Sequence, residues 1–203
     1  MEWLAQRGAR GRGSAGRALV RAWARRVEGG EGDAYVRFLT GTLKPLIDRR
    51  YRTLADREHT GIGGSSMGGL IAVYAGLTRP DVFSRVMAMS TAVWFAEGGR
   101  AWLSNNKLLE RVHERGAPRG VRFYVDVGTE ERSRATDPDV VDAEGRRLTY
   151  ARAYVEGTRA LASALVAAGA SPEEVRLVVD DGAPHNESAW ARRLAGAVQW
   201  LYR

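Results

Sequence analysis

Gly63-Gly64-Ser65-Ser66-Met67-Gly68-Gly69 is the stretch on which the reading of this chain turns. Residues Gly64 to Gly68 spell G-x-S-x-G, the pattern of a sharp strand-to-helix turn that holds a serine in a strained conformation with its hydroxyl exposed. Glycine on either side suits so tight a bend, where a side chain would collide with neighbouring backbone. Before it, Thr60 to Gly64 reads as a short strand from its position, because Gly61 and Gly63 weaken the intrinsic preference. After it, Leu70, Ile71, Tyr74 and Leu77 mark one face of a helix that ends before Pro80. Ser66 is therefore the candidate nucleophile. In a chain with 24 glycines the motif needs support from its context.

The downstream sequence supplies that context. Arg85 to Ser90, Val121 to Val127 and Val175 to Val179 read as three further strands, the first and third of them short apolar runs. Between them lie a helix over Ala101 to Arg115 and a long helix capped by Thr149 and ended by Gly169. Ser171-Pro172-Glu173-Glu174 has the form of a capping box with proline at the first position. Arg132 to Arg147 and Asp180 to Pro184 read as turns, and the last helix is expected to bury Trp190, Leu194, Val198 and Leu201. Four strands alternating with helices predict an α/β fold, a mostly parallel sheet covered on both faces. In such sheets functional residues sit beyond the carboxyl ends of the strands, where Ser66, Glu131 and His185 all fall.

Those three residue types complement one another chemically. A serine hydroxyl is a weak nucleophile until a base takes its proton, and an imidazole titrates in the right range to do so. A carboxylate then fixes the tautomer of the imidazole and stabilises the imidazolium. His185 is the candidate base and Glu131 the candidate acid, with Glu130 as the alternative one residue away. The other two histidines are read as surface residues, His59 in a charged loop and His113 on a polar helix face.

Upstream, Tyr35, Phe38, Leu39, Leu43, Leu46 and Ile47 recur at helical spacing, so Asp33 to Tyr51 reads as an amphipathic helix kinked by Pro45. Residues 1–32 are a basic mix of Arg, Gly and Ala. An organelle transit peptide, a basic arm for nucleic acid and a solvated, disordered tail all fit that composition. The formal charge of +7 concentrates there, with seven arginines against two glutamates in residues 1–30. The remainder is close to balance, so nucleic acid is not the expected partner of residues 33–203, which form one domain.

Cysteine is absent, which excludes disulfides, thiolate metal sites and cysteine nucleophiles. No apolar run approaches the length of a membrane span. With no apolar segment following the N-terminal charges, a cytoplasmic location is expected, and neither metal nor cofactor is called for.

The runs FLTGTLKPLIDRRYRTLADREHTGIGGSSMGGL, RPDVFSRVMAMSTAVW, VDVGTEE and PHNESAWARRL together resemble the esterase D-like (Putative esterase) family of α/β-hydrolases. That family includes feruloyl esterases, S-formylglutathione hydrolases, enterochelin-esterase-like hydrolases and mycolyltransferases. The resemblance covers roughly Asp33 to Arg203. It implies Ser66 as nucleophile, His185 as base, Glu131 in the G-T-x-E pattern as acid, and hydrolysis of a small-molecule ester through an acyl-enzyme. The Met67 amide is the implied oxyanion donor, at the positive end of its helix. Ser65 and Trp94 are implied at the substrate site, with core packing the alternative for Trp94. Acyl transfer within the same fold is the alternative activity. The family pattern also has strands before Asp33 that residues 1–32 do not supply. The chain is therefore expected to be an N-terminally truncated form with a second oxyanion donor unaccounted for, and a weakly active or inactive fragment is the alternative to an active hydrolase. Its exposed edge strand would invite a homodimer.

Overall fold

The computed structural model describes residues 31–93, 106–131, 140–141 and 147–203. Val36–Arg203 form one compact unit. The expected basic tail falls almost wholly outside the described residues.

Helix α1 (Gly32–Phe38) runs through a π-helical segment, Leu39–Leu43, into α2 (Lys44–Arg50). The expected single helix is thus remade just ahead of Pro45, which sits in the first turn of α2. Proline has no N–H and its ring crowds the carbonyl four residues back, and the wider π turn absorbs that demand. Its apolar stripe is not covered among the described residues: Phe38, Leu43, Leu46 and Ile47 are exposed and only Val36 is buried.

Four parallel strands form the sheet in the order β1 (Gly61–Ser65), β2 (Arg85–Met89), β3 (Arg122–Glu130) and β6 (Val175–Pro184). Helices α3 (Met67–Thr78), α4 (Lys107–Arg115) and α5 (Tyr150–Ala167) connect them. Because the strands are added in sequence order and such crossovers are right-handed, the connecting helices fall on one face. Their packing agrees: Ala72, Val73, Leu108, Val112, Leu161 and Leu165 form one core with Val86, Ala88, Phe123 and Val125 of the sheet. The fully buried Phe123, Leu161 and Leu165 each contribute about 1.5–3 kcal/mol by leaving water. The intervening residues point the other way, so Met87 and Tyr124 pack with Ala197 and Leu201 of α6 (Glu187–Leu201) on the opposite face. Between β3 and α5 a two-residue antiparallel pair, β4 (Val140–Val141) with β5 (Arg147–Leu148), falls within and just past the polar stretch that carries turn signals.

Three expectations are corrected. Asp180 to Pro184 is strand, because β6 continues along β3 past a bulge to pair Pro184 with Glu130. On α6 the buried row is Ala189, Arg193, Ala197 and Leu201, while Leu194 and Val198 are each 43% exposed. Small alanines let this helix approach the sheet closely, and the arginine, the most polar residue of the row, is turned inward for reasons given below. Helix α3 is buried on more than one side, with Leu70 in the main core and Ile71 and Tyr74 in a second cluster around Val36 and Phe83.

Candidate active site

The residue immediately after each of the four parallel strands lies at the carboxyl edge of the sheet: Ser66 after β1, Ser90 after β2, Glu131 after β3 and His185 after β6, the last three joined by side-chain contacts. Only two non-glycine residues among those described have positive φ, and they are Ser66 (φ 55°) and Ser90 (φ 43°). Held strain of this kind costs about 1–3 kcal/mol per residue and collects at functional sites.

Ser66 is pinned from both sides. Its N–H donates to the Met89 carbonyl (2.9 Å), and its own carbonyl accepts from Gly69 (3.1 Å), Leu70 (3.2 Å) and Ala92 (3.2 Å). Gly64 is required, since a Cβ there would lie 2.5–2.8 Å from the backbone of Gly68. At Gly68 nothing lies within 4 Å of such an atom, so the expected need for glycine on both flanks holds on one side only. Met67 opens α3, and as the first helical residue its N–H has no acceptor within the helix. Ser65, the last residue of β1, is half-buried and pairs in register with Met89. Trp94 lies outside the described residues.

Gly128 explains how Glu131 reaches His185. A Cβ at that position would sit 2.0 Å from the Ala183 carbonyl oxygen, so only glycine lets β3 and β6 close together at their carboxyl ends. Thr129 locks the approach, donating from Oγ1 to Asp181 (2.9 Å) and accepting from the Gly182 N–H (2.8 Å). Beyond this junction Glu131 Oε2 lies 2.6 Å from His185 Nδ1. Glu130 is exposed at the end of β3, so Glu131 is the carboxylate brought to the histidine. An ionised carboxylate only accepts, which assigns the proton to Nδ1 and leaves Nε2 with its lone pair.

Glu131 is completely buried. Burial of a carboxylate is costly unless donors replace water. Here its other oxygen, Oε1, accepts from the Gly128 N–H (2.6 Å) and from the Ser90 hydroxyl (2.5 Å). The His185 ring is held between Tyr154 of α5 (centroids 5.0 Å apart) and Trp190 of α6 (5.1 Å, edge-on). Tyr154 packs on His185, and its phenol lies close enough to the Ser66 side chain to interact with it. Burial, with the negative Glu131 nearby, pushes the Tyr154 phenol far above its ordinary range and keeps it neutral.

Behind Ser90 lies a charged layer. Arg193 donates to Ser90 Oγ (3.1 Å), Asp126 Oδ1 (3.1 Å) and Asp180 Oδ2 (3.0 Å), while its Nε approaches Asp126 Oδ2 at 3.0 Å off the hydrogen-bond axis. Burial pushes the Asp126 carboxyl up despite Arg193. Burial also opposes the Arg193 charge, but Asp126 and then Asp180 hold it above its usual value. The two directions differ because the carboxylate is wholly enclosed, whereas Asp180 adds a second counter-charge to the guanidinium.

His59 pairs with Asp56 (2.6 Å) in an exposed loop, and His113 is exposed on α4, as expected of surface histidines. His185 does not cap the following helix; Asn186 does, accepting from the Ala189 N–H (3.0 Å). Sequence reading missed Ser90, Asp126, Tyr154 and Arg193. Only Ser90 carried a usable signal, because it follows a strand as the other three cluster residues do. Among the described residues no group of three or more His, Asp or Glu is placed to hold a metal ion.

The family model described as Putative esterase matches residues 7–201. The chain belongs to that family. A relative described as the uncharacterized protein YbbA of Bacillus subtilis is 24% identical over 86% of this chain and 61% of its own length. The iron(III) salmochelin esterase of Escherichia coli is 29% identical over 56% of this chain and 29% of that protein. Among solved structures, an enterochelin esterase from Shigella flexneri superposes with a TM-score of 0.65 at 22% identity, covering 83% of this chain and 37% of the other. The fold is that of the α/β-hydrolases, and the chain spans less than two thirds of these relatives.

Proposed function

We propose that this chain is a serine-dependent carboxylic ester hydrolase working through an acyl-enzyme. The reading rests on the 2.6 Å contact of the buried Glu131 with His185, together with the positive φ of Ser66 at the end of β1 in the same sheet. His185 takes the Ser66 proton at Nε2 as the hydroxyl oxygen attacks the ester carbonyl. Glu131 keeps the opposite Nδ1–H in place and offsets the positive charge that forms. The carbonyl oxygen becomes an oxyanion and accepts from the Met67 N–H, which lies at the positive end of α3. His185 then gives its proton to the departing alcohol, leaving the acyl group on Ser66. Water, deprotonated by His185, attacks that acyl group; the acid is released and the Ser66 hydroxyl is restored.

Relatives named as salmochelin, enterobactin and ferulic acid esterases support a small carboxylic ester as the substrate class. Ser65, the last residue of β1 and next to the elbow serine, is the proposed substrate contact. The test is labelling by a fluorophosphonate, with hydrolysis of p-nitrophenyl acetate measured in parallel. Loss of both in Ser66→Ala, with the native chain active, is the expected result. Equal labelling of native and variant protein, or of neither, would remove Ser66 as the nucleophile.

A further inference from the structure

Ser90 belongs to no part of the mechanism just given, yet it is strained, fully buried and in contact with four groups of the site. A serine hydroxyl has one proton and two acceptor positions. Both acceptor positions are filled, one by the Trp190 indole N–H (2.9 Å) and one by Arg193 Nη2 (3.1 Å). The single proton is thereby left for Glu131 Oε1, at 2.5 Å. The backbone of Ser90 is fixed as well, its N–H donating to the Asp126 carbonyl (2.8 Å) and to Asp126 Oδ1 (3.2 Å). Its orientation has no freedom left.

From this geometry we infer that Ser90 is a positioning residue for catalysis, a hydroxyl whose proton is committed by Trp190 and Arg193 to hold Glu131 aimed at His185. The inference rests on the triad reading above. It also explains why α6 turns Arg193 and the indole N–H of Trp190 inward while leaving Leu194 and Val198 in solvent. Both inward groups donate to the same oxygen, so the positive charge of Arg193 reaches Glu131 through one hydroxyl rather than as a direct ion pair. A direct Arg193–Glu131 pair would compete with His185 for the carboxylate. The relay leaves Oε2 for the histidine alone. The charged and titratable groups packed around this cluster are Asp126 from β3, Asp180 from β6, Arg193 from α6 and Tyr154 from α5.

Two substitutions separate the hydroxyl from the backbone strain. Ser90→Ala deletes the hydroxyl and keeps a side chain at positive φ; Ser90→Gly deletes it and relieves the strain. Each is normalised to active sites counted with fluorophosphonate, so that poor folding does not enter the rates. Both are expected to lose about ten- to a hundredfold in kcat per labelled site, the worth of a hydrogen bond to a charged group. In both, the acid limb of the kcat/KM profile moves to higher pH, because a carboxylate stripped of a donor attracts the imidazolium more strongly. Ser90→Gly with native kcat, or a loss in both variants with an unmoved acid limb, would overturn the inference. If Ser66→Ala abolishes turnover while Ser90→Gly does not reduce it, this inference alone fails. If Ser66→Ala still turns over, the triad reading fails and takes the role of Ser90 with it.

Discussion

Replacing Arg193 by methionine removes the cation paired with the wholly buried carboxylate of Asp126. Methionine keeps most of the arginine stem, so lost packing is small and the principal change is electrostatic. Breaking a buried pair by removing one partner typically costs about 3–5 kcal/mol, because the remaining charge is left without water or counter-charge. For a domain of this size each kcal/mol lowers Tm by about 2–4 °C, so the expected loss is about 6–20 °C. Asp180 adds little to it, since it stays partly solvated when Arg193 is gone.

The loss carries a pH signature. Burial already raises the Asp126 carboxyl above its ordinary value, and without Arg193 it rises further. A group whose folded pKa is raised contributes stability that is complete below its unfolded pKa and lost as pH rises through the folded one. The gap in Tm between native protein and Arg193→Met is therefore largest at pH 8 and narrows toward pH 5, as Asp126 takes up its proton. Circular dichroism melts across that range measure it. The double variant Arg193→Met with Asp126→Asn should recover much of the loss at pH 8, since no charge is then stranded. A gap below about 2 °C at every pH, or a gap independent of pH, would refute the reasoning.

The remaining predictions concern geometry. Gly64→Ala places a methyl group 2.5–2.8 Å from the Gly68 backbone, so the elbow must distort; fluorophosphonate labelling should fall at least tenfold, checked by the rate of label uptake. Val198→Lys on the exposed side of α6 should change stability by less than about 0.5 kcal/mol, whereas Ala197→Leu on the buried side should cost about 1–3 kcal/mol; urea titration of the pair tests which face of the helix meets the sheet. Tyr154→Phe keeps the ring beside His185 and removes the hydroxyl that lies near Ser66. It should lower kcat/KM about two- to tenfold with little change in Tm, as steady-state kinetics and melting would show.

What the sequence determined by itself was the order of elements and the three positions at strand ends. Apolar runs, Thr149, the Ser171 capping box and the glycine after α5 act within a few residues of themselves, and each appears where local chemistry requires it. The same locality made Ser66, Glu131 and His185 legible as candidates. Which face of α6 is buried was not legible, because Leu194 and Val198 are the more apolar residues and only the sheet on one side, with Asp126 waiting on it, turns Arg193 inward. Nor could the end of β6 be read locally, since Asp180 to Pro184 has turn composition and becomes strand only by pairing with β3. Gly128 was visible as a glycine, but its reason is a carbonyl 55 residues away in the chain, at Ala183. The choice of Glu131 over Glu130 and the clamp of Ser90, Trp190 and Arg193 upon it were likewise decided by tertiary structure alone. Burial and hydrogen-bond satisfaction depend on neighbours that sequence separation hides.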